Sequence, residues 1–62
     1  MLVKVVNKHT GKEYHVIENE MDNDIINVYI MRAYGLLLEK SVGNKTFHED
    51  YELIEKFEVT VG

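Results

Sequence analysis

The chain has 62 residues, no cysteine and no proline, with 45% apolar and 29% charged side chains and a net charge of −4. That composition describes one globular domain, 1–62, with a thin core; the missing cysteines exclude disulfides, thiolate metal sites and cysteine nucleophiles. Its acidity opposes general binding to phosphate backbones, and its longest apolar run, Leu36-Leu37-Leu38, falls far below the ~20 residues of a membrane helix. No basic-then-apolar leader opens the chain, so a soluble, cytoplasmic protein is expected.

The first predicted element is Leu2 to Asn7, LVKVVN, β-branched and partly alternating: Leu2 and Lys4 point one way, Val3 and Val5 the other. HTGK at 9–12 supplies a turn in which Gly11 can take positive φ. Glu13 to Ile17, EYHVI, is the return strand, with Tyr14 and Val16 on one face. Together they predict a hairpin.

The acidic stretch ENEMDND at 18–24 then leads into IINVYIMRAYGLLLEKSV, whose period fits two states. As a helix, it would be N-capped by Asp22 or Asn23. As strands, it would place Ile26, Val28 and Ile30 on one face, turn at Ala33-Tyr34-Gly35 and return over Leu36–Val42. Strands are preferred, because Gly35 in mid-helix costs about 1 kcal/mol and Ile, Val and Tyr concentrate before it.

VGNK at 42–45 reads as a further turn, with Gly43-Asn44 tolerant of positive φ. In KTFHEDYELI, Thr46 and Glu49 have capping-box spacing for a helix starting at Phe47. The alternative is a single 3₁₀ turn at HED followed by the strand YELI. KFEVTVG closes the chain with alternation of Phe57, Val59 and Val61 against Glu58 and Thr60, a strand with one wet face.

TGKEYHVI at 10–17 resembles the opening hairpin of small SH3-like β-barrel proteins of bacteriophages and prophages. FHEDYELI at 47–54 resembles their closing segment: an aromatic, a short acidic turn, a second aromatic and an aliphatic residue. The resemblance implies an all-β fold, a barrel of about five short antiparallel strands. It also implies a non-enzymatic, phage-encoded protein that binds and modulates or inhibits a host protein. The added strand over 55–62 departs from that pattern, and no functional residue carries over from it. The alternative fold is α+β: strands 2–7, 13–18 and 57–61 with helices near 24–39 and 47–56.

Charge is unevenly spread. Residues 1–16 hold three lysines against one acid, +2; residues 17–62 hold four cations against ten acids, −6. The expected partner-binding surface is acidic: Glu18, Glu20, Asp22 and Asp24, extended by Glu49, Asp50 and Glu52 and onward to Glu55 and Glu58. If 18–24 is extended, alternate carboxylates line one face about 6.6 Å apart, twice the strand rise. Such a row imitates a nucleic-acid backbone and would compete for a basic cleft. If the segment is not extended, the acids serve solubility alone.

An EF-hand reading fails, because a loop starting at Glu20 has Ile25 where glycine is needed and Met31 where the bidentate glutamate belongs. His9, His15 and His48 include no i, i+4 pair, so no metal site is assigned. Ser41 is the only serine and lies in no nucleophile elbow, and the glycines are isolated. Neither catalysis nor a cofactor is therefore expected.

The rival function is nucleic-acid binding by the basic first hairpin, with Lys4, Lys8 and Lys12 around Tyr14 as a stacking platform. A third is a structural subunit: unpaired strand edges of an open barrel would pair with a second copy or a partner strand. Tyr29, Tyr34 and Tyr51 are candidate exposed aromatics.

Overall fold

The computed structural model describes the backbone of residues 1–57 and the side chains of residues 1–54. Of the strand expected over 55–62, the side chains of Glu55 and Phe57 and the whole of Glu58, Val59 and Val61 lie outside the described residues.

Five strands run antiparallel: β1 (Leu2–Asn7), β2 (Glu13–Ile17), β3 (Ile25–Arg32), β4 (Gly35–Gly43) and β5 (Tyr51–Phe57). A 3₁₀ turn, Glu18–Glu20, follows β2, and one helix, α1 (Asn44–Asp50), separates β4 from β5. The spatial order is β4-β3-β2-β1-β5. The all-β expectation therefore holds, and the helix alternative over 24–39 is overturned. Gly35 decides this point: it sits at φ +120° in the β3–β4 turn, a conformation that L side chains rarely adopt. The sheet is not closed into a barrel. At one end α1 packs against β3, β4 and β5. At the other, β4 leaves the core.

β1 and β2 form as the alternation predicts. Val3 pairs with Val16 and Val5 with Tyr14 on the core face, while Lys4 pairs with His15 on the outer face. The turn between them is organised by Asn7, the one buried polar residue among those described. Its side-chain oxygen accepts from the backbone N–H of His9 at 2.9 Å and of Thr10 at 3.1 Å. Gly11, at φ +74°, completes the turn and donates its N–H to the Asn7 carbonyl at 2.8 Å.

β3 contributes Ile26 and Val28 to the core. Gly43 stays at φ −62° and precedes α1, so the positive-φ turn expected at Gly43-Asn44 does not form. The helix begins at Asn44, so Thr46 lies inside it and the capping box is not made. Asn44 instead ties the helix start to the preceding turn. Its Nδ2 donates to the Met21 carbonyl at 3.2 Å and the Asn23 carbonyl at 2.9 Å, and its backbone N–H to the Asp24 carbonyl at 2.8 Å.

α1 ends at Asp50, where YELI resumes as strand. It delivers Phe47 into the core, stacked on Tyr51 at 5.1 Å between centroids. Tyr14 meets Tyr51 edge-on at 5.8 Å. Val3, Val5, Tyr14, Val16, Ile26, Val28, Phe47 and Tyr51 make the core, with Met21, Ile30 and Val42 packed at its margin.

Candidate interaction surface

The acidic stretch does not form a row. Glu18–Glu20 is a 3₁₀ turn and 21–24 continues as turn and bend, so the two-residue period no longer places Glu18, Glu20, Asp22 and Asp24 along one face. The cause is long-range: the Asn44 bonds hold 21–24 curled against α1, aided by His48, whose Nε2 donates to the Met21 carbonyl at 3.1 Å. That docking joins the start of α1 to the 18–24 segment, while the chain beyond it carries Asp50 and Glu52 toward the opposite end of β1. Glu49 and Glu52 are exposed. Asp50 turns the other way, to the β1–β2 turn, where it pairs with His9 at 3.0 Å and its carbonyl accepts from Lys8 N–H at 2.8 Å.

The basic hairpin is not a stacking platform. Tyr14 is buried in the core, so its ring face is unavailable to a base. Lys4 pairs with Glu13 at 2.9 Å. Lys12 lies 3.9 Å from Glu39 and 5.5 Å from the Tyr14 centroid; Lys8 is exposed.

Lys40 is another cation on the core side. A register shift between Val28 and Tyr29 leaves Glu39 without a partner on β3 and brings Lys40 opposite Val28, facing the core. Its ammonium lies 5.9 Å from the centroids of both Tyr14 and Tyr51. The buried Tyr51 hydroxyl makes no hydrogen bond of normal distance and angle. It still acts on Lys40 through a looser polar contact. That contact is the main cause raising the Lys40 pKa, with the Tyr51 charge adding to it. Tyr51 is thus a core residue, not an exposed aromatic.

Among the described residues, the largest apolar exposure lies on the β3–β4 hairpin, outside the expected binding residues and around Tyr34, one of the candidate exposed aromatics. β3 and β4 run past the core as an arm that turns at Ala33-Tyr34. Tyr34 is fully exposed, and Leu37, Leu38 and Met31 are each more than half exposed, at 54%, 53% and 52%. Register assigns their faces. Leu37 pairs with Ile30 on the core side; Leu36 and Leu38 pair with Met31 and Tyr29 on the other. A recess of about 220 Å³ at the tip is lined by Arg32, Tyr34, Gly35, Leu36 and Leu37. Among the described residues, β4 pairs only with β3, so its outer edge presents unused backbone donors and acceptors. A signal was present in the sequence: three successive leucines in a strand cannot all face one core.

Among the described residues, no three His, Asp or Glu side chains come together as a metal site, and no helix is long and apolar enough to cross a membrane. Comparison with protein-family models, curated proteins and solved structures gives no match.

Proposed function

We propose that this chain is a non-enzymatic protein-binding module whose contact surface is the β3–β4 arm. One observation carries the reading: a long strand whose outer edge is unpaired among the described residues has exposed apolar side chains on both of its faces. A ligand lying on one face would cover only half of these. A strand added beside β4 shields both flanks and satisfies the backbone as well. Kinship with the phage SH3-like barrels rests on the resemblance of TGKEYHVI and FHEDYELI, and the all-β plan of five antiparallel strands is compatible with it. Modulation of a host protein is the role that kinship implies.

The test is replacement of both Leu36 and Leu38 by Glu in the full chain. Capture of its partner from lysate is lost, while the urea midpoint stays unchanged because both residues lie outside the core. Undiminished capture by the double variant sinks the arm as the contact surface.

A second reading keeps the acidic stretch 18–24 as the contact surface, because the Asn44 and His48 bonds fix that turn against α1; Glu52, opposite Val6, lies at the other end of β1. It requires capture to disappear when Glu18, Glu20, Asp22 and Asp24 become lysine.

A further inference from the structure

Resting on the arm as the contact surface, we infer that its occupant is a second copy of this chain, paired antiparallel along β4 about a two-fold axis through Leu37. Antiparallel pairing of identical strands is isologous, so residue i of one copy meets residue j of the other, and the reverse. Opposed residues must also share a sheet face, which restricts the axis to a residue position.

An axis at Glu39 sets two carboxylates against each other, and one at Lys40 sets two ammonium groups together; both are repulsive. An axis at Leu37 places Leu37 against Leu37 on the core-side face and Leu36 against Leu38, twice, on the other. Every exposed leucine of β4 then has an apolar partner.

The same register is complementary in charge. It sets Gly35 of one copy opposite Glu39 of the other. Gly35 is also the β3 pairing partner of Arg32. Arg32, Gly35 and Glu39 of the second copy therefore form one row across three strands, and Gly35 has no side chain to block it. Two strand spacings are roughly 9–10 Å, a gap that the long Arg32 and Glu39 side chains bridge together. Among the described residues Arg32 has no ion-pair partner, and Glu39 has only Lys12, at 3.9 Å. The two-fold makes this pair twice. The shift at Glu39 then limits the shared ladder to the stretch from Gly35 to Glu39, short enough to remain a discrete dimer.

The experiment uses the full chain and its lack of native cysteine. Sedimentation equilibrium gives twice the 7.3 kDa chain mass at high concentration. Leu37→Cys, placed on the axis with opposed Cβ atoms about 5 Å apart, forms an intermolecular disulfide under mild oxidation. Tyr34→Cys, more exposed but roughly 20 Å from its mate, does not. Arg32→Glu weakens the dimer about tenfold, and adding Glu39→Arg restores it. Circular dichroism confirms that each variant folds.

A chain that stays at 7.3 kDa at every concentration overturns the second copy as occupant. So does a folded Leu37→Cys that cross-links no faster than Tyr34→Cys. If such a monomer still loses its lysate partner on Leu36→Glu/Leu38→Glu, only the self-pairing fails. If it loses nothing, the binding-module reading fails with it.

Discussion

Asn7 shows how much one residue can settle. It is buried and polar, and it is tolerated because its side-chain oxygen serves two turn N–H groups. Replacement by leucine strands both donors and should cost about 1–3 kcal/mol, read as a fall in the urea midpoint. Phe47 is almost fully buried between α1 and Tyr51. Phe47→Ala should cost about 3–5 kcal/mol, a large share of the stability of so small a domain. Calorimetry of that variant should show a transition lowered by tens of degrees or none at all.

His15 sets an acid-side dependence. Desolvation first and the Lys4 charge second lower its pKa, against a smaller raising influence of Glu13. The folded chain therefore binds this proton less readily than the unfolded chain, whose value is about 6.5. The contribution to stability is complete above that value and is lost as pH falls through it toward the lowered folded value. His15→Gln should flatten the decline of the urea midpoint on the acid side of that value; an unchanged slope would contradict the assignment.

At the scale of elements, β1 and β2 were legible because β-branched alternation, Asn7 and Gly11 all agree locally. Residues 24–39 were ambiguous because Ile25 to Leu38 holds apolar residues at spacings that suit either period. Gly35 resolves them. The helix at 44–50 was half legible: Thr46 and Glu49 suggested a start, but the cap was misplaced because Asn44 bonds to a turn 21 residues away. That same contact bends ENEMDND away from an extended row, so the acidic surface could not be judged from its spacing alone. Asn44→Ala removes both side-chain bonds and should cost about 1–2 kcal/mol. It should also raise amide exchange over 18–24 more than over β1, as measured by mass spectrometry.

The whole molecule follows from its connectivity. β1 pairs with β5 across nearly the full chain, Asn7 with Tyr51 and Leu2 with Phe57. The core therefore cannot assemble until both ends are present. Folding should be cooperative and in the millisecond-to-second range of β proteins rather than the microseconds of helical bundles. Tyrosine fluorescence and far-UV circular dichroism should give one coincident urea transition with a slope of about 1 kcal/mol/M. Non-coincident curves would show that the arm, or α1, unfolds separately.

None of the side chains that form the core or pack at its margin lies between Met31 and Leu38. Folding and the proposed recognition therefore draw on different positions of this short chain. Gly35 apart, the arm can change its side chains with little effect on the scaffold. Under the proposed binding role, such an arm can follow a changing partner, or acquire a new one, without the scaffold first becoming more stable.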